Sequence, residues 1–497
     1  MREAPGAYLK SAQMPSLTHI TEEIRLAGRA LGEFGLGLFH PTVRLGVTGL
    51  SGAGKTVFIT ALVHQLLHGG RLPVFEALSS GRIARARLEP QPDDAVPRFD
   101  YETHVHALTG ERRWPESTSR ISELRLVIEY QSARRGARNR TLTLDIVDYP
   151  GEWLLDLPLL TTGYAQWSAD TLRLSRSGPR AVLAARWHNH LATLDPDAPE
   201  NEQSALLAAA LFTDYLKACR NERYAMRLLP PGRFLMPGDL AGSPALTFAP
   251  LELAGTETSP GSLAAMMERR FEAYKDVVVR PFYREHFARL DRQIVLVDAL
   301  AAFNAGPDAV RDLEGALAAI LGSFRTGRAT IASTLFRPRI DRILFAATKA
   351  DHLHHANHDK LERFLARMTE RAIERAKFSG ATVDVIALAA VRATREAMVA
   401  RGREKLPAIT GKPLAGEAFG RDSFDGETEI ASFPGDLPDD PAALFDGFRG
   451  LTASDESDYR FLRFRPPPGE AGRAGTPTLP HIRLDRALQF LLGDRLA

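Results

Sequence analysis

Residues 43–59 read VRLGVTGLSGAGKTVFI, an apolar run that ends in a glycine-rich turn and then opens a helix-like stretch. Within it, Gly49, Leu50, Ser51, Gly52, Ala53, Gly54, Lys55 and Thr56 fit the pattern G-x-x-x-x-G-K-[ST]. That pattern requires a strand before the turn and a helix after it. VRLGVTGL and TVFITALVHQLL supply both. The glycines let backbone N–H groups turn toward phosphate, and the helix N-terminus adds partial positive charge. Lys55 reaches the terminal phosphates, and Thr56 offers a hydroxyl to Mg²⁺. The expected phosphate-binding set is Gly49, Ser51, Gly52, Ala53, Gly54, Lys55, Thr56 and Val57. The loop by itself leaves the reaction open, because small-molecule kinases carry similar ones.

Two later segments narrow it. TLTLDIVDYPGEW, residues 141–153, is an apolar strand ending in Asp148, Tyr149, Pro150 and Gly151. An aspartate at a strand's C-terminal end can hold the Mg²⁺ shell, and a glycine three residues on can present its N–H to a γ-phosphate. RILFAATKADHL, residues 342–353, delivers Thr348, Lys349, Ala350 and Asp351, the [NT]-K-x-D pattern. Asp351 can accept from guanine N1–H and the exocyclic amine, paired donors that adenine does not offer, and the Lys349 stem can lie along the base. After the strand in VDVIALAAVRAT, a small-residue loop at Ala389, Ala390 and Val391 is placed to offer a backbone N–H to the guanine oxygen. Between the two phosphate motifs, Ser117, Thr118 and Ser119 precede another apolar strand. Thr118 is the chosen switch threonine for the Mg²⁺ shell, with Thr103 and Thr109 as competitors. The expected metal ligands are thus Thr56, Thr118 and Asp148, and the expected catalytic set is Lys55, Thr118, Gly151 and Glu152.

The order of elements predicts an α/β fold, a GTPase-like P-loop domain with a mostly parallel sheet and helices on both faces. About 130 residues interrupt it, with helical patterns in EQSALLAAALFTDYLKACR and SLAAMMERRFEAYKDVV, the second stopped or kinked by Pro281. The expected organisation is an N-terminal helical segment over 1–40, the P-loop domain over 41–154 and 286–396, an all-helical insertion over 155–285, and a small C-terminal α+β lobe over 397–497. The insertion follows a switch directly, where nucleotide state could move it against a protein partner.

Through TGLSGAGKTVFITALV, DIVDYPGEWLLDLPLL and TKADHLH the chain resembles the YcjX-like proteins, bacterial stress-associated P-loop NTPases, from about residue 18 to the C-terminus. The resemblance implies a GTPase-like domain with a large helical insertion, a further C-terminal region and a stress-linked role. It names no partner. The predicted-ATPase label that members often carry is at odds with Asp351. Glu152 stands where small GTPases commonly place a glutamine that orients the attacking water. A carboxylate beside a γ-phosphate is repelled unless protonated or bridged, which predicts slow hydrolysis.

Composition bounds the rest. With 497 residues and 44% hydrophobic content the chain can fill more than one core. Net charge is +2, from 63 basic and 61 acidic residues, so nucleic acid is not expected as the main partner. A single cysteine, Cys219, forms no internal disulfide and fits a reducing compartment. A cytoplasmic protein is expected. Residues 16–39 have amphipathic helical spacing, read as a helix packed on its own domain, with peripheral membrane contact as the alternative. His352, His354, His355 and His358 read as solvated, the metal-holding reading resting on the i, i+4 pair His354 and His358. QSARRGARNR reads as a charged hairpin tip. The functional expectation is a Mg²⁺-dependent GTP/GDP-binding switch with slow hydrolysis; the rivals are an ATPase or metabolite kinase and a non-hydrolysing nucleotide-bound scaffold.

Overall fold

The structure is a computed structural model that describes residues 41–497 except 117, 119, 134–138, 325–339, 402–403, 420–421, 447–460 and 472–476. The N-terminal helix expected over 16–39, Ser117, Ser119 and the centre of the basic run lie outside the described residues.

Seven strands form the central sheet: β1 (Thr42–Gly49), β2 (Ile83–Glu89), β3 (Ser122–Gln131), β4 (Asn139–Asp148), β5 (Arg292–Val297), β6 (Arg342–Ala347) and β7 (Thr382–Ala387). Their order is β2-β3-β4-β1-β5-β6-β7, antiparallel across β2, β3 and β4 and parallel from β4 to β7. β1 and β5 are mostly buried, and their central residues are apolar, because both faces of a parallel sheet are covered. With the parallel strands aligned, the loops after β1, β4, β5, β6 and β7 meet along one edge, where α/β sheets bind ligands.

One face packs Leu45, Val47, Ile146, Ile294 and Leu344 against helix Lys55–His68 and, unexpectedly, against helix Leu484–Leu492 at the C-terminus. That last helix, assigned from sequence to the C-terminal lobe, inserts Leu484, Leu488, Leu491 and Leu492 into the core of the central sheet. Arg292 of β5 ties it down through a two-pronged pair with Asp494, at 3.1 and 2.9 Å. The other face shares a continuous core with the inserted helices, through Val147, Val295, Val297 and Phe345.

The insertion is helical, with helices Tyr164–Ser175, Gly178–Leu191, Glu202–Arg220 and Leu263–Tyr274. After Tyr274 a π-helical stretch, Lys275–Val279, runs directly into helix Arg280–Glu285, so the backbone stays helical on both sides of Pro281 and the proline does not stop the helix; the wider π turn lies just before the position where its N–H is missing. Trp167 stacks on Phe271 at 5.0 Å, with Phe248 edge-on to both at 5.5 and 5.7 Å. Beyond β7, strands Arg395–Arg401, Glu404–Gly411 and Ile430–Ser432 make a small antiparallel sheet over Ile409, Leu462 and Phe464.

Candidate nucleotide site

β1 delivers the chain at Gly49, and the turn that follows uses left-handed backbone at Gly52 (φ 81°) and Gly54 (φ 86°). A side chain at either position would cost about 1–2 kcal/mol, so glycine is required there. Helix Lys55–His68 begins with no side-chain cap and no acidic residue in its first turn, which leaves its positive end suited to an anion. The Lys55 ammonium is buried and donates to the Gly49 carbonyl at 2.8 Å. Ser51 and Ala53 border a small cavity shared with Asp298 and with Arg227 from the insertion. Val57 packs sideways against the adjoining core.

Thr56, Thr118 and Asp148 come together from three separate parts of the sequence. The Thr56 and Thr118 hydroxyls are 3.2 Å apart, and Thr118 donates to Asp148 Oδ2 at 2.6 Å. Asp148 Oδ1 is buried with no hydrogen-bond partner, an arrangement that costs energy unless something else meets it. Burial pushes the Asp148 carboxyl up to about 6, while the Lys55 charge and the Thr118 hydroxyl pull the other way. An all-oxygen set of two hydroxyls and one carboxylate, with one orphaned oxygen, fits Mg²⁺. The rival threonines both lie on helix Tyr101–Thr109, where the Thr103 amide donates to the capping Asp100 side chain and the Thr109 hydroxyl bonds the Val105 carbonyl.

Gly151 presses on the phosphate loop so closely that a Cβ there would lie 1.9 Å from the Gly49 carbonyl oxygen. It opens the 3₁₀ run Gly151–Thr161. Glu152 is buried, and its Oε1 is 3.5 Å from Nη1 of Arg220, the last residue of helix Glu202–Arg220. Its backbone is clamped by the insertion as well, since a Cβ on Gly232 would sit 1.8 Å from the Glu152 carbonyl oxygen.

At the Thr348–Asp351 turn the Thr348 amide donates to the Val297 carbonyl at 2.9 Å, and Lys349 adopts φ 60°. The Lys349 ammonium meets Asp298 Oδ2 at 2.5 Å. Burial alone would raise the Asp298 carboxyl, but the Lys349 charge and hydrogen bond hold it below its usual range. Asp351 is buried, its orientation fixed by the Ala393 amide, which donates to Oδ2 at 2.8 Å. One expectation is corrected. The Ala389 amide does not face a base, because it donates to the Ile482 carbonyl at 3.1 Å and Ile482 returns a bond at 2.8 Å. Ala390 and Val391 remain as candidates for the guanine oxygen. The histidines are also not a solvated group: His352 and His358 are buried, and His358 Nε2 bonds the Ala350 carbonyl at 2.9 Å, which removes it from any pair with His354.

Sequence reasoning missed Asp298, Arg220, Arg227, and the Ala393 and Thr394 contacts to Asp351. Asp298 had a signal, since it closes an apolar strand just as Asp148 does. Arg220 had none, because nothing local to it points to Glu152.

The YcjX-like family, DUF463, matches residues 43–496. This chain belongs to the YcjX-like family. It is 40% identical over 469 residues to the protein named Ras-like GTPase YcjX of Escherichia coli (strain K12), covering 91% of this chain and 96% of that one. A protein of the same name from Shewanella oneidensis is 36% identical over 493 residues, covering 92% and 96%. Among solved structures, the signal recognition particle receptor SRb-GTP/SRX complex from Chaetomium thermophilum is 13% identical over 73% of this chain and 93% of that one, at a TM-score of 0.22. So low a score bears no weight, and the GTPase-like P-loop fold rests on the sheet order and loops above. Among the described residues, no helix is long and apolar enough to cross a membrane.

Proposed function

We propose that this chain binds GTP and GDP with Mg²⁺, hydrolyses GTP slowly, and acts as a nucleotide-dependent switch, in keeping with the stress-linked role its family resemblance implies. The observation that carries the reading is the convergence of Thr56, Thr118 and Asp148 around one unsatisfied buried oxygen, on the same edge of the sheet as Lys349 and Asp351, which follow β6, two strands from β1. The names of its relatives support guanine over adenine, as does the carboxylate of Asp351.

In this mechanism the phosphate-loop amides and Lys55 hold the phosphates, and the Gly151 N–H meets the γ-phosphate. Thr56, Thr118 and Asp148 would hold Mg²⁺, which when bound would supply positive charge against the phosphates. Glu152 stands where a water could be oriented. The geometry of Gly151, Glu152 and Gly232 supports a route from nucleotide to insertion, because the switch backbone is wedged between Gly49 and Gly232. The insertion is then the surface offered to a protein partner, in a cytoplasmic setting.

The test is phosphate release measured with GTP and ATP side by side, in the wild type and in Lys55→Ala. Release from GTP that exceeds release from ATP, and that is lost in the variant, is the expected result. Equal turnover of both nucleotides would overturn the base assignment, and turnover surviving Lys55→Ala would overturn the site.

A further inference from the structure

Glu152 poses an electrostatic problem that the fold does not let it escape. Its backbone is held on one side through Gly151, packed on Gly49, and on the other by Gly232, so the residue stays next to the phosphate loop. It is buried, and a buried carboxylate next to a triphosphate meets like charge where screening is weak. The structure answers it with Arg220. The guanidinium, about one-third exposed, lies 3.5 Å from Glu152 Oε1. It projects from the C-terminal residue of the inserted helix Glu202–Arg220, an end whose dipole favours a cation.

We infer that Arg220 is a positioning residue for the nucleotide site, the insertion's own counter-charge that offsets the Glu152 carboxylate when a γ-phosphate is bound. This rests on the guanine-nucleotide reading above. It makes the insertion part of the site rather than only a receiver of its signal: Arg220 in place permits the triphosphate, and withdrawing it, as a partner seated on the insertion could do, sets Glu152 against the γ-phosphate while leaving the diphosphate untouched. The ligand class discriminated is nucleoside triphosphate against diphosphate.

The experiment measures the affinities of GDP and a non-hydrolysable GTP analogue, with Mg²⁺, for the full chain and for Arg220→Ala, Arg220→Lys, Glu152→Gln and the Arg220→Ala/Glu152→Gln double variant. Wild-type binding of GDP over ADP is established first, so that a failure of the nucleotide reading shows there and not in the variants. Arg220→Ala is expected to weaken the GTP analogue about tenfold, ~1.4 kcal/mol, and GDP by less than about threefold. Arg220→Lys restores most of the loss because charge rather than fork geometry is at stake. In the Glu152→Gln background, adding Arg220→Ala is expected to change the GTP-to-GDP ratio by less than about twofold. Equal loss of both nucleotides would make Arg220 a packing residue. A loss of GTP binding that persists in the Glu152→Gln background would place Arg220 on the phosphate itself. Either result overturns the inference.

Discussion

Asp156 offers the most quantitative handle on the junction between the Gly151 turn and the insertion. It lies on the 3₁₀ run that begins at Gly151, fully buried, with Oδ1 accepting from the Gly232 amide and Oδ2 from the Tyr274 hydroxyl, both at 2.7 Å. Burial pushes its carboxyl from 3.8 up to about 7, against the pull of Tyr274, Gly232 and the nearby Arg233. The folded chain therefore holds a proton that the unfolded chain releases between those two values. Folding stability falls as pH rises through that window, and the loss is complete above the folded value. For a displacement of this size the loss is on the order of 4 kcal/mol. Asp156→Asn keeps the shape and cannot ionise. Urea unfolding of wild type and variant from pH 5 to pH 8 should therefore show the two converging at the acidic end, with the variant increasingly the more stable toward pH 8. Parallel curves across the range would refute the reasoning, since they would mean that Asp156 is ionised in the folded protein throughout.

Three further outcomes are expected. Gly151→Ala should abolish GTP hydrolysis, because the new Cβ would lie 1.9 Å from the Gly49 carbonyl and force the switch off the phosphate loop; single-turnover phosphate release checks this. GDP should bind about tenfold or more tightly than ADP, ~1.4 kcal/mol, and Asp351→Asn should move the preference toward XDP, because xanthine carries a carbonyl where guanine has its amine; calorimetry with the three diphosphates decides it. Hydrogen exchange should differ between GDP and GTP-analogue states over residues 110–120 and 153–175. It should also differ over 461–466, because Trp114 and Arg112 donate to the carbonyls of Phe464 and Pro466 at 2.7 Å and 3.1–3.2 Å. Exchange changes confined to the phosphate loop and 348–351 would leave the insertion a passive appendage.

What the sequence made legible is what is local in it. The phosphate loop, the Asp148 turn and the Thr348–Asp351 turn are short runs whose backbone demands and strand contexts are written in adjacent residues, and Thr118 could be placed because it precedes a strand. Glu152 was recognisable as out of keeping, and so was its need for a bridge, but not the identity of Arg220. That pairing is decided by how helix Glu202–Arg220 lies on the sheet, which depends on distant aromatic packing around Trp167, Phe248 and Phe271. Ala389 was misjudged for the same kind of reason, since its amide is taken by Ile482 from the far end of the chain. The apolar stripe Leu484, Leu488, Leu491 and Leu492 announces a helix with one greasy face but does not say which surface will cover it.

That covering has a temporal consequence. Synthesis proceeds from the N-terminus, so the phosphate loop and all seven strands of the central sheet leave the ribosome before residue 484 is made. Until then one face of the sheet lacks the helix that buries Leu45, Ile294 and Leu344 together with it, and Arg292 lacks Asp494. A nascent chain halted short of that helix keeps apolar surface open to chaperones and to other unfinished copies. β1 and β5 carry both that face and the loops of the candidate nucleotide site, so the sheet beneath those loops is fully covered only once helix Leu484–Leu492 has docked.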